Sequence, residues 1–400
     1  MAVTLNETPS ADRIHIGFYG RTNSGKSSLM NAFVGQDISI VSDQAGTTTD
    51  PVNKAMEIHG IGACVLMDTA GFDDVSELGT SRVDKTKKTA EKTDIALILW
   101  AGGDLSRELE WLQYFKKKGT PVIPVITKAD LFADVDSLRR DLEEAFGEKP
   151  VVVSAVERTG LIELKERITR ALPEDYGMES ITGNLVREGD TVLLVMPQDI
   201  QAPKGRLILP QVQTLRDLLD KKCLVMSVTT DKMQQALEAI KEPPALIITD
   251  SQVFKTVFDL KPAQSRLTSF STLFAAYKGD IGYYKEGAEQ IGHLTQDSRV
   301  LIAECCTHAP LTEDIGREKL PRMLRKKVGE GLQVDIVSGT DFPEDLSGYD
   351  LIIQCGACMF NRKYVMARIQ RAKDQHVPMT NYGVAIAWLS GIWDKISTEG

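Results

Sequence analysis

Four hundred residues, 42% hydrophobic and 26% charged, describe an ordinary soluble globular chain of two or three domains rather than a disordered one. The net charge of −9 counts against a protein whose main work is gripping RNA, because a basic patch or tail is the usual footprint of that work. The longest apolar stretches, 95–101 among them, are too short to span a bilayer, and the polar start lacks the features of a secretory signal. A cytoplasmic protein is expected, with neither membrane nor nucleic acid as a partner.

Residues 1–177 alternate short apolar runs with amphipathic helical stretches. The runs 14–19, 64–67, 95–100, 122–127 and 151–154 read as buried strands, each followed by a polar or Gly-containing turn, as parallel α/β layers require. The segment 173–177, Pro-Glu-Asp-Tyr-Gly, breaks the last helix and marks a boundary. A second unit, 178–261, offers strands at 191–196, 223–228 and 245–249, separated by helices near 211–221 and 231–241. No catalytic motif stands out in it, and from that silence comes the expectation of an oligomerisation role. The third unit, 262–400, repeats the alternation, with strands expected at 300–304, 334–337, 351–354 and 377–380.

Chemistry enters first at Gly20-Arg21-Thr22-Asn23-Ser24-Gly25-Lys26-Ser27, which follows a strand and opens a helical run at Ser28. That context is the one a phosphate-binding loop needs. Gly20 and Gly25 let backbone N–H groups turn toward phosphates, with Asn23 and Ser24 between them, and the helix start adds partial positive charge. Lys26 would neutralise the β- and γ-phosphate oxygens, and the Ser27 hydroxyl would ligate Mg2+. Asp68-Thr69-Ala70-Gly71 follows at a sensible distance; Asp68 can hold the metal through water, and the Gly71 N–H can sense the γ-phosphate. In Thr127-Lys128-Ala129-Asp130, the Asp130 carboxylate can accept two hydrogen bonds from a guanine edge, a donor pair adenine lacks, so GTP is the expected nucleotide. Ser154 and Ala155 fit the loop that supports the base. Gly46-Thr47-Thr48-Thr49-Asp50 is the expected switch loop, with Thr48 chosen among its threonines as the Mg2+ ligand. Lys26, Thr48 and Gly71 are thus the catalytic candidates.

These motifs resemble those of the TrmE, Era and EngA type of GTPases, over roughly the first 175 residues. The fold the resemblance implies is a P-loop GTPase domain with a parallel-type sheet, followed here by two smaller α/β domains. Phe72 stands where Ras-like enzymes carry a water-orienting glutamine, so that group is missing. Asn23 matches the asparagine that in this family helps bind K+ beside the phosphates, a cation that could supply the charge an arginine finger supplies elsewhere.

The second cluster is Cys306-Thr307-His308, then 46 residues, then Cys355-Gly356-Ala357-Cys358. Both halves are expected just after a strand, at its carboxyl end, where open α/β sheets place ligands. Three thiolates and an imidazole suit zinc or an iron-sulfur cluster, and spacing alone does not separate them. A domain with strands enough for a core has less need of a structural metal, which favours a functional 4Fe-4S cluster whose fourth iron takes a replaceable ligand: His308, or Glu304 as the lesser candidate. Cys64, Cys223 and Cys305 read as small buried hydrophobes, and His15, His59, His293 and His376 as structural. Two basic runs share the domain: Arg317, Arg322, Arg325, Lys326 and Lys327, and then Arg362, Lys363, Arg368 and Arg371. Such runs are ordinarily solvated faces; beside an anionic cluster they could stabilise negative cargo or guide an acidic partner.

With GRTNSGKSS, GTTTDP, DTAG, TKAD, CTH and CGAC in one chain, the sequence resembles, along its whole length, the HydF family of GTPases that mature the FeFe-hydrogenase active site. The resemblance implies a G domain, a dimerisation domain at 178–261 and a cluster-binding domain at 262–400. It also implies a scaffold that carries a diiron precursor as cargo, and acts as a homodimer or larger assembly. Its partners would be the radical-SAM maturases and the FeFe-hydrogenase apoprotein. Two other readings stay open at this point: a ribosome-assembly or tRNA-modification GTPase with a structural zinc site, and a GTP-regulated redox enzyme.

Overall fold

The computed structural model describes residues 10–35, 53–58, 61–71, 79–172, 180–197, 207–305, 315–357 and 359–398. The chain divides into two compact units, 1–176 and 177–400.

The first unit is built on a sheet of six strands: β1 Ile14–Gly20, β2 Asn53–Ile58, β3 Gly62–Asp68, β4 Ile95–Trp100, β5 Val122–Ile126 and β6 Val151–Val152. Their spatial order is β2-β3-β1-β4-β5-β6; only β2 runs antiparallel to its neighbour. Every residue of β1 and β4 is buried, as expected of central parallel strands covered by helices on both faces. One face packs Phe18, Leu66, Leu97 and Val125 with Leu29 and Phe33 of the helix Lys26–Val34. The other gathers Tyr19, Ile98 and Ile126 with Trp111 and Phe115 of the helix Ser106–Lys117. The sequence reading finds five of these strands and misses β2, whose outward Asn53 and Glu57 dilute its apolar alternation.

The second unit carries two four-stranded sheets, both wholly parallel. The first has β7 Thr191–Val195, β8 Leu224–Val228, β9 Leu246–Thr249 and β10 Arg266–Ser269 in the order β10-β9-β7-β8. The second has β11 Arg299–Ala303, β12 Gln333–Val337, β13 Leu351–Gln354 and β14 Met379–Asn381 in the order β12-β11-β13-β14. One apolar core runs through both, from Leu193 and Ile247 to Ile302, Ile353 and Ile386. The α/β expectation holds throughout. β8 is an edge strand of the described sheet, with Leu224 64% exposed, and such an edge is a template for pairing. No described helix is long and apolar enough to cross a membrane.

Candidate functional site

β1 ends at Gly20 and the helix Lys26–Val34 begins at Lys26, so the loop between them sits at the carboxyl end of the sheet, over a helix start. Gly25 lies at φ 89° and Asn23 at φ 60°, two left-handed residues that fold the backbone back over the helix. Glycine meets that demand without strain, and asparagine is among the few side chains that tolerate it. Lys26 is buried, and its Nζ donates to the carbonyls of Gly20 at 3.0 Å and Arg21 at 2.7 Å. Ser27 and Ser28 stand exposed in the first turn.

Asp68 closes β3, beside β1, and its Oδ2 accepts the Ser27 hydroxyl at 2.5 Å. Its Oδ1 is buried without a hydrogen-bond partner among the described residues. An orphaned carboxylate oxygen beside a hydroxyl is the hard-oxygen pair that a magnesium ion takes, so these residues fit the metal. Gly71 then passes so close to the phosphate loop that a Cβ there would lie 2.5 Å from the Thr22 nitrogen. The two loops therefore touch backbone to backbone.

A third loop leaves β5. Thr127 is buried, and its Oγ1 donates to Ser24 O at 2.6 Å, tying this loop to the phosphate loop. Lys128 turns through φ 55°, and Asp130 follows, exposed, in the short turn Ala129–Leu131. The Ala129 N–H donates to Val153 O at 3.2 Å, and the buried Ser154 hydroxyl donates to Asp130 Oδ1 at 2.5 Å. Ser154 Oγ in turn accepts the Glu157 N–H at 3.1 Å. Ala155 lies half-buried beside it. The described nucleotide candidates thus gather along one edge of one sheet; Thr48 and Phe72 lie outside the described residues.

Sequence reasoning misses Arg21. Its Nε donates to Glu108 Oε1 at 3.1 Å and its Nη2 to Asp104 Oδ2 at 2.9 Å, and the Glu108 side chain is 1% exposed. The hydrogen bond to Glu108, then that to Asp104, holds the guanidinium pKa above its ordinary value. No local signal announces a pair 87 residues apart.

In the second unit, Cys355 follows β13 directly, and Cys305 stands two residues past the end of β11, the neighbouring strand. The Cys305 N–H donates to Cys355 Sγ at 3.1 Å, and the Cys355 N–H donates to Ala303 O at 3.0 Å. Cys355 is half-exposed while Cys305, Cys64 and Cys223 are buried, as read from the sequence. A backbone N–H pointed at sulfur stabilises a thiolate, so the described part of this donor set fits a thiolate-held metal group. Cys306, His308 and Cys358 lie outside the described residues. Among those described, no three His, Cys, Asp or Glu gather as a metal site. Glu304 Oε2 accepts from Arg317 Nε at 3.1 Å and from the Ser338 hydroxyl at 3.3 Å.

Comparison with known proteins adds the following. Residues 15–128 match the family described as 50S ribosome-binding GTPase. Residues 181–279 match the Hydrogen maturase F dimerization domain, and residues 282–398 the Hydrogen maturase F tetramerization domain. The chain is 38% identical over 165 residues to the tRNA modification GTPase MnmE of Heliobacterium modesticaldum, covering 40% of this chain and 34% of that protein. It is 36% identical over 178 residues to the GTPase Der of Wolinella succinogenes, covering 42% and 37%. The chain thus spans about a third of the length of these relatives. Among solved structures, an Aquifex aeolicus Era variant bound to GDP and AlF4 aligns at 22% identity over 57% of this chain and 98% of its own, with a TM-score of 0.33.

Proposed function

The chain belongs to the hydrogen maturase F family, with a GTPase domain ahead of the family's dimerization and tetramerization domains, and on that premise we propose that it is a GTP-hydrolysing carrier for a metal cargo. It binds GTP with Mg2+, holds a 4Fe-4S cluster on Cys306, Cys355 and Cys358, and delivers a diiron precursor to the FeFe-hydrogenase apoprotein. The radical-SAM maturases of the same pathway supply the cargo, and the setting is the cytoplasm. The observation that carries this reading is the Cys305 N–H to Cys355 Sγ contact at the ends of adjacent strands, in a chain whose other unit holds a phosphate loop.

In the nucleotide site Lys26 meets the β- and γ-phosphates, Ser27 and Asp68 take the magnesium, and Asp130, held by Ser154, selects guanine. When bound, the magnesium neutralises phosphate charge and orients the γ-phosphoryl group. Gly71 senses the γ-phosphate with its N–H, and its close approach to Thr22 passes a change in one loop to the other. Asn23 would help hold K+, which when bound would supply the transition-state charge that Phe72 cannot. In the metal site the Cys305 N–H steadies one thiolate, and His308 or Glu304 completes the set as an exchangeable ligand. When bound, the cluster supplies an iron open to that exchange. The exposed apolar edge at β8 supports self-association through the middle domain.

The test is anaerobic purification with iron, sulfide and zinc analysis and spin-resonance spectra of the reduced protein, beside GTP and ATP hydrolysis assays. Iron and sulfide in the wild type, lost from the Cys355→Ala/Cys358→Ala double variant, are expected, with GTP preferred. Colourless, zinc-containing protein that copurifies with ribosomes would sink the carrier reading in favour of a ribosome-assembly or tRNA-modification GTPase.

A further inference from the structure

Arg368 breaks the rule that basic runs face water. Its side chain belongs to the helix Arg362–Asp374 and is 1% exposed. It lies among the buried residues with Tyr364, Val365, Ile369 and Ala372, and helical spacing places Tyr364, Val365 and Ala372 beside it. The guanidinium carbon stands 4.8 Å from the Phe342 ring centre and 4.9 Å from those of Phe360 and Tyr364. One nitrogen, Nη2, donates to Gly339 O at 2.5 Å. The other two, Nε and Nη1, are buried without a hydrogen-bond partner among the described residues.

Aromatic faces attract a cation but do not cancel its charge, and a guanidinium keeps its proton even when buried. Buried charges in proteins are paired or held against a metal group, so a counter-charge is missing from the described surroundings. Glu304, the acidic residue beside the cysteine loops, is already engaged by Arg317 at 3.1 Å. A buried water could satisfy the two idle N–H groups but would leave the charge unmet.

What lies close is the loop that carries Cys355. Phe360, whose ring covers the guanidinium, closes a turn with Ala357, two residues past Cys355, its N–H donating to Ala357 O at 3.1 Å. The buried Tyr284 hydroxyl accepts Gln354 Nε2 at 3.4 Å, one residue from Cys355. Burial pushes the Tyr284 phenol up, and the Arg368 guanidinium acts against it.

Resting on the reading of a thiolate-held cluster, we infer that Arg368 is the fixed counter-charge of that metal group, holding it in the protein and favouring its more negative, reduced form. Removing the positive charge makes the reduced form harder to reach. Arg368 is a positioning residue in this role: it acts through the electrostatics of the site and ligates no metal.

The experiment compares wild type, Arg368→Gln and Arg368→Lys, each reconstituted anaerobically with iron and sulfide. The readouts are iron content and a redox titration followed by spin resonance, with GTP hydrolysis and circular dichroism as controls on the fold. Arg368→Gln is expected to lower the reduced-to-oxidised ratio at a fixed potential about tenfold, a shift of about 59 mV for a one-electron couple. Arg368→Lys, which keeps the charge, should stay near wild type. An unchanged potential in a folded, iron-loaded Arg368→Gln protein overturns this inference alone; zinc without iron in the wild type overturns the cluster reading and this inference with it. Should the glutamine variant not fold, the lysine variant carries the test, because a tenfold shift there would assign the effect to packing and not to charge.

Discussion

Ser154 holds Asp130 from behind: its hydroxyl, fully buried, donates to Asp130 Oδ1 across 2.5 Å while the carboxylate faces solvent. One carboxylate thus has its orientation set by the β6 loop before any base arrives. Asp130→Asn is expected to turn preference from guanosine toward xanthosine triphosphate, since donor and acceptor exchange at that edge. Ser154→Ala should keep guanine selectivity but weaken binding about fivefold, the worth of one hydrogen bond near 1 kcal/mol. Titration of both variants with GTP and XTP checks the pair, and a Ser154→Ala protein that loses base selectivity would contradict the orienting role.

Gly71 leaves no space for a side chain, because the Thr22 nitrogen and Cα would lie 2.5 and 2.8 Å from an added Cβ. Backbone is the obstacle, so the loops must part. Gly71→Ala is expected to lower GTP turnover at least tenfold and to cost about 1–3 kcal/mol of stability, the range for an overpacked contact. Steady-state kinetics and thermal melts measure both. Normal turnover would mean that the approach of the loops has no part in hydrolysis.

Asn23 is exposed in a left-handed turn of the phosphate loop, where its side chain is available to a ligand. With Phe72 offering no polar group, transition-state charge must be met otherwise. Hydrolysis is expected to run faster in potassium than in sodium, and Asn23→Ala should remove the difference. Equal wild-type rates in the two salts would refute this.

Asp280 caps the helix Ile281–Glu289: it accepts the Tyr283 N–H at 3.0 Å and takes Lys373 Nζ at 2.7 Å. Burial pushes its pKa up, but Lys373 and the backbone N–H groups outweigh burial and hold it below the ordinary value. A depressed folded pKa contributes stability above the unfolded value, about 3.9, and that contribution is lost as pH falls through the folded value. Asp280→Asn should therefore cost about 0.5–1 kcal/mol at neutral pH, since asparagine still caps but cannot pair with Lys373. Urea unfolding at several pH values should bring the two proteins together in acid; a constant gap would mean that the charge is not the cause.

The nucleotide motifs are legible because their spacing is local and each follows a run of apolar residues long enough to mark a strand. β4 and β13 are read to the residue for that reason. β10 escapes because Arg266-Leu-Thr-Ser is short and polar, its Thr268 and Ser269 buried only once the sheet supplies partners. Val377 and Pro378, read as strand, lie before β14, which starts at Met379. Arg368 hides differently. Counted as charge it belongs to a solvated run, and only its spacing from Tyr364 and Ala372 marks the inward face. Composition is blind to that distinction, and periodicity is not.

The order β12-β11-β13-β14 sends the chain from β11 out to an edge and back before β13 can dock. Cys305 and Cys355 are 50 residues apart along that excursion, so their loops meet only after a long closure and two parallel pairings. A short zinc knuckle can fold around its ion; this arrangement is finished by the sheet itself. Strand pairing therefore brings the Cys305 and Cys355 loops together, and on the proposed reading a metal cargo would meet a chain already folded.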